Sequence, residues 1–315
     1  MFMKLINPPF YLLILLLFFF TMTKAQKRIA ITIDDVPNTG KYVSEKFQPR
    51  LLQQIDSLHL PVTIFVNEMK VYGNEYLTEN FDLLRQWVYC PVVQVANHSF
   101  SHFRCSTTEV TAFCDDIRKG GHLIGELTKK VNKKVAYFRF PYNDLGNDEV
   151  QQLAVKQCLE EQELITAPYT VESSDWMFNY LFQHYIDNSH PQEAERIAQA
   201  YLSQTRANLR FFDSLSVQLY GRDIPHIYLC HDNTLNTLYL NELLQIFREE
   251  GFSVISMDEA MQDAVYQQPL KYHGQWGFSW LFRWVEDVET RKQLIQAEPS
   301  VTPYYQQYEK LRTKY

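Results

Sequence analysis

The run RIAITIDDVP, Arg28 to Pro37, decides the fold. Arg28-Ile29-Ala30-Ile31-Thr32-Ile33 is short and rich in β-branched residues, which predicts a buried strand. Two adjacent carboxylates, Asp34 and Asp35, follow it, and Val36-Pro37 then turns the chain. Side chains alternate along a strand, so the two carboxylates can do different work, one binding a metal and the other taking a proton. By itself an Asp-Asp pair before proline more often serves a turn or a helix cap.

Outward from this strand the same grammar repeats. Pro61–Val66, Val92–Ala96, Val135–Phe140, Leu164–Ala167, Ile227–Cys230 and Phe252–Ile255 predict six further strands. Between them lie helical spacings: Phe47–Leu58, Tyr76–Val88, Glu109–Val131 with a break at Gly120-Gly121, and Asn147–Glu161. Alternating strands and helices predict an α/β fold of about seven parallel strands with helices outside. Periodicity alone does not choose between an open sheet and an incomplete barrel. Met177–Tyr220 is too long for a crossover and is read as a helical insertion between strands five and six. Residues 266–315 form a C-terminal extension with a helical pattern. Its Trp280, Phe282 and Trp284 are read as core-packing, with a lipid or partner surface as the alternative.

Residues 1–25 hold Lys4, an apolar run from Phe10 to Phe20, and Thr23-Lys24-Ala25 before Gln26. That run is shorter than the roughly 20 residues a bilayer requires, so a secretory signal peptide is expected, leaving no membrane span after cleavage. The main domain is then 26–265, in an exported protein, periplasmic or secreted. The 315 residues are 46% hydrophobic, 21% charged and 15% aromatic, a globular composition. A net charge of −7 with no basic tract gives nucleic-acid binding no support. The five cysteines form no C-x-x-C pair, which argues against a thiolate zinc site. Export permits disulfides, and an odd count leaves at least one thiol free.

Chemistry-bearing residues cluster just after the strands, where parallel α/β folds build their sites. In Asn97-His98-Ser99-Phe100-Ser101-His102, two histidines four apart would face the same way on a helical turn and can bind a divalent metal. Two histidines plus one aspartate leave positions open for water and substrate. Arg139 in Phe138-Arg139-Phe140-Pro141-Tyr142 needs an anionic partner, because an unpaired buried charge is costly. Ser173-Ser174-Asp175-Trp176 offers a partner for Arg139 and an aromatic wall for a sugar. His231, closing Leu229-Cys230-His231, is a candidate general acid. Each cluster alone has a structural reading; five in one order at strand ends point to a site.

In these motifs the chain resembles the polysaccharide deacetylase family, the NodB-homology domain of carbohydrate esterase family four. That family shows T-F-D-D-G-P, H-[ST]-x-x-H, R-x-P-Y, a D-W element and L-x-H. This chain has T-I-D-D-V-P, H-S-F-S-H, R-F-P-Y, D-W and L-C-H. The resemblance spans about residues 28–260 and implies a distorted (β/α) barrel with a groove across its top. It implies Asp34 as catalytic base and Asp35, His98 and His102 as ligands of a divalent metal, zinc foremost. Arg139 would orient Asp34, and Asp175 would hold Arg139. The Tyr142 N–H would bind the oxyanion, and His231 would protonate the departing amine. Trp176, Leu229 and Pro141 would contact substrate, Leu229 shaping the acetyl pocket. Val36 replaces the family glycine and is expected to add bulk beside the metal.

The implied activity is removal of acetyl groups from N-acetylated, or O-acetylated, sugars of an envelope or extracellular polysaccharide. The alternatives are hydrolysis of another amide or ester, and a catalytically silent glycan-binding protein.

Overall fold

The computed structural model describes residues 26–313; the expected leader, 1–25, lies outside them. The run that opened the sequence forms β1, Lys27–Val36. Ile29 through Asp34 are all buried, as a strand covered on both faces must be. The other strands are β2 (Val62–Val66), β3 (Val93–Asn97), β4 (Tyr137–Phe138), β5 (Ile165–Thr166), β6 (Val171–Glu172), β7 (His226–His231) and β8 (Phe252–Ile255).

Hydrogen-bonded neighbours run β5-β4-β3-β2-β1-β7-β6, and every pairing is parallel. β8 pairs with Lys27–Ala30 at the start of β1, ahead of the β2 pairing that begins at Ile31. The architecture is a curled, incomplete (β/α) barrel, the expected class. It has one strand more than anticipated, because the two-residue β6 carries no periodicity to read. The helical insertion consequently lies between β6 and β7.

Helices pack one apolar face onto this sheet. Arg50–Ser57 buries Leu51, Leu52 and Ile55, and Leu240–Glu249 buries Leu240, Leu243, Leu244, Ile246 and Phe247. The expected break at Gly120-Gly121 separates Val110–Gly120 from His122–Lys130. The insertion is two helices, Asp175–Asp187 and the 30-residue Pro191–Tyr220. The longer one ends at Gly221, whose φ of 70° suits a residue without a Cβ. In the C-terminal extension Trp280, Phe282 and Trp284 are buried in the core. All five cysteines are free and buried. Among the described residues no helix is long and apolar enough to cross a membrane.

Candidate active site

β1 delivers its two carboxylates at an irregularity. Its register against β2 shifts between Ile33 and Val36, and Asp35 takes a left-handed φ of 64°. The two side chains therefore diverge: Asp34 is buried while Asp35 is half-buried. In the β1–β7 register Asp34 lies directly opposite His231.

The His98–His102 loop is held by polar contacts that the motif alone does not show. Ser99 N–H donates to Asn97 Oδ1 and His102 N–H to Ser99 Oγ. Ser101 N–H donates to both oxygens of Asp116, at 3.1 and 2.9 Å. Asn67 Nδ2 donates to the carbonyls of Ser99 and Phe100. Gly120 lies so close that a Cβ there would stand 2.3 Å from the Ser99 carbonyl carbon. Ser99 and His102 sit at φ of 66° and 59°, and Tyr142 and Ser174 at 58° and 55°. Left-handed backbone at a non-glycine residue costs about 1–3 kcal/mol, so these contacts hold the site against its own preference.

Asp35, His98 and His102 converge, with one ligand atom from each within 4.8 Å of the others. His102 Nε2 is 3.3 Å and His98 Nε2 4.0 Å from Asp35 Oδ1. The Arg139 carbonyl lies 2.7 Å from His98 Nδ1, which leaves Nε2 for a ligand when Nδ1 carries the proton. Burial, with His98 beside it, pulls His102 down to about 4. Burial alone would raise Asp35, but Lys70, His102, His98 and His231 outweigh it and hold the carboxyl well below its usual range. A neutral imidazole and an ionised carboxylate are the forms a metal requires. Asp35 Oδ1 is buried with no hydrogen-bond partner. That orphaned acceptor and this donor set fit a divalent cation.

Arg139 is fully buried and reaches three acceptors. Nη1 donates to Thr32 Oγ1 at 2.7 Å and to Asp34 Oδ1 at 2.8 Å, and Nη2 to the Pro168 carbonyl at 2.8 Å. Its guanidinium lies 4.0 Å from the centre of the Phe65 ring. Asp34 Oδ2 is left facing His98 Nε2 at 3.9 Å.

The expectation that Asp175 holds Arg139 is not met. Asp175 Oδ1 lies 2.7 Å from His231 Nδ1, and Oδ2 accepts from His231 N–H, Asn233 Nδ2 and Asn236 Nδ2. The reason is topological: β6 adds to β7, which carries the segment after β6 to the end of the His231 strand. Burial would lower His231, but the Asp175 charge and hydrogen bond prevail and raise it to about 10.

The substrate-contact positions divide. Leu229 and Pro141 are buried, whereas Trp176 and Tyr142 are exposed. Trp176 donates to Glu172 Oε1 and packs edge-on against Tyr308. The Tyr142 ring lies 4.6 Å from that of His102, with the Arg104 guanidinium 3.8 Å from its centre. Val36, in place of the family glycine and next to Asp35, is fully buried in the core. Thr32, which opens T-I-D-D-V-P, supports the site, and so do Asn67, Asp116, Asn233 and Asn236, which belong to no motif. Only the buried threonine in β1 had a signal in sequence, a polar residue inside an apolar run.

The curled barrel, with carboxylate and histidine groups at its strand ends, is similar in fold to structures of carbohydrate esterase family four. Residues 21–160 match the family model "Polysaccharide deacetylase", the part of the chain that holds Asp34, Asp35, His98, His102 and Arg139. No curated protein matches the sequence. Among solved structures, wild-type BA3943 of Bacillus anthracis, a CE4 family pseudoenzyme, is similar at 19% identity and a TM-score of 0.51. That match covers 75% of this chain and 66% of the other. A BA3943 mutant with restored enzymatic activity gives 20% and 0.50, covering 75% and 68%. The Bc1960 peptidoglycan N-acetylglucosamine deacetylase gives 14% and 0.52, covering 76% and 89%. These likenesses establish the fold.

Proposed function

We propose that this chain is an exported, metal-dependent hydrolase that removes acetyl groups from N-acetylated sugars of an envelope or extracellular polysaccharide. The observation that carries this reading is the convergence of Asp35, His98 and His102 beside an Asp34 carboxylate already anchored by Arg139.

A divalent cation, zinc foremost, would be held by Asp35, His98 and His102 and would supply Lewis acidity, lowering the pKa of a water towards about 7. The protein's own groups do the rest. Arg139 fixes one oxygen of Asp34, so Oδ2 is the atom that accepts the proton of the attacking water. The Tyr142 N–H donates to the oxygen that gains charge as the acetamide carbonyl becomes tetrahedral. His231, kept protonated by Asp175, gives its proton to the nitrogen as the C–N bond breaks. The products are acetate and a free amine. Zinc-dependent acetate release from acetylated glycans tests the reading; no release from any of them, with one zinc bound, would overturn it.

A further inference from the structure

Beside this site lies a cleft of about 700 Å³, built by the segment around β6, the helix Pro191–Tyr220 and the C-terminal extension. Ligand sites typically enclose about 300–1,000 Å³. We propose that this cleft is a saccharide subsite, holding the hexosamine unit next to the one being hydrolysed and favouring a unit that carries a free amine. The proposal rests on the deacetylase reading and names a substrate feature for it.

Two connections tie the cleft walls to segments that carry reacting groups, and Glu172 in the lining is near enough to feel the charges of His231, Asp175 and Asp34. Ser174, in its lining, precedes Asp175, which binds His231. On the opposite wall Gly277 lies against the loop after β4: a Cβ there would stand 2.1 Å from the Tyr142 carbonyl oxygen. Arg283, fully buried, locks this contact by donating from Nη2 to the Asn143 carbonyl at 2.8 Å and the Trp276 carbonyl at 2.5 Å. Tyr169 donates its hydroxyl to the Gly277 carbonyl at 2.5 Å. The wall of the cleft and the loop carrying the Tyr142 N–H are thus one block.

The cleft's surface suits a sugar. Trp276 is 66% exposed in its lining, a large indole face left open to solvent. Such a face covers the apolar side of a pyranose ring while hydroxyls find polar partners around it. No Lys, Arg or His lines the cleft, whereas Glu172 and Glu298 do. Among the described residues neither glutamate has a basic partner within ion-pair distance. Burial raises both carboxyls to about 7; the His231 charge pulls Glu172 down without overcoming burial, and Glu298 is raised further by Glu172. An ammonium on the sugar gives the pair a cation of its own, while a carboxylated or phosphorylated sugar is repelled. The reaction itself produces amine-bearing units, so a chain already deacetylated at one unit presents the ligand this subsite selects.

The test is calorimetric titration of the full chain with a glucosamine tetrasaccharide and with a uronic-acid tetrasaccharide. Neither carries an acetyl group, so no turnover intervenes. The expected result is binding of the amine-bearing oligomer alone, weakened about tenfold or more by Trp276→Ala and by Glu298→Gln. Both positions lie in the cleft lining rather than the core, and circular dichroism confirms that each variant is folded. Equal binding of the uronate oligomer, or wild-type affinity in both folded variants, would overturn the subsite. Binding is read independently of acetate release. A chain that binds as described but releases no acetate refutes the hydrolase and keeps the subsite; an active chain indifferent to both substitutions does the opposite.

Discussion

Asp175 binds His231, with 2.7 Å between carboxylate oxygen and ring nitrogen, and the same carboxylate also accepts the His231 backbone N–H. The pair explains how a histidine at the end of a strand keeps its proton at neutral pH. Its Nδ1 is engaged, so Nε2 is the atom that can donate to a leaving group. The folded-state value, about 10, lies above the ordinary 6.5. The ion pair therefore contributes stability that is fully present below pH 6.5 and is lost as pH rises through about 10.

Asp175→Asn should move the alkaline limb of the rate profile to lower pH, because the amide cannot hold the imidazolium. At pH 8 the turnover number should fall about 100-fold, within the range for loss of a general acid. NMR titration of the His231 ring provides the independent check. A ring that still titrates near 10 in the variant would remove Asp175 from this role.

Arg139→Met should destabilise the fold by about 3–5 kcal/mol, because it leaves Asp34 charged, buried and unpaired. Adding Asp34→Asn should recover part of that loss, since the stranded charge is then gone. Chemical denaturation of the two single variants and the double variant measures the coupling. Strict additivity would mean that the 2.8 Å contact carries no coupling energy.

Gly120→Ala and Gly125→Ala should have opposite signs. At Gly120 the new Cβ meets Ser99 and Phe100 backbone at 2.3–2.7 Å, whereas at Gly125 nothing lies within 4 Å. Gly120→Ala should weaken zinc binding about 10- to 100-fold by displacing the His98–His102 loop. Gly125→Ala, inside the helix His122–Lys130, should stabilise by about 0.5–1 kcal/mol and leave zinc affinity unchanged. Zinc titration and thermal melts of both variants decide the point.

How much of this was legible beforehand follows from which contacts are local. The β1 run and the Gly120-Gly121 break are encoded within a few residues and appear where their patterns placed them; His98 and His102 also converge, but on a loop with left-handed Ser99 and His102 rather than on the expected helical turn. The partner of Asp175 was not legible, because it depends on β6 joining β7 across more than fifty residues of sequence. β6 itself has two residues and no period. Asp116 and Asn67 stand outside every motif, and only the folded chain brings them to the Ser99 loop. The burial of Val36 was likewise a tertiary outcome: a β-branched residue completes the β1–β2 pairing and faces the core.

The division of labour between the two adjacent aspartates is the central claim, and Asp34→Asn tests it most directly. Zinc content and acetate release are measured together on purified wild type and variant, after chelation and after zinc is restored. The account predicts one equivalent of zinc in both proteins, zinc-dependent acetate release in the wild type and none in the variant. Loss of zinc from Asp34→Asn would contradict the assignment of Asp34 as base. A wild type that binds zinc and releases no acetate from any acetylated glycan would mark the chain as a silent binder.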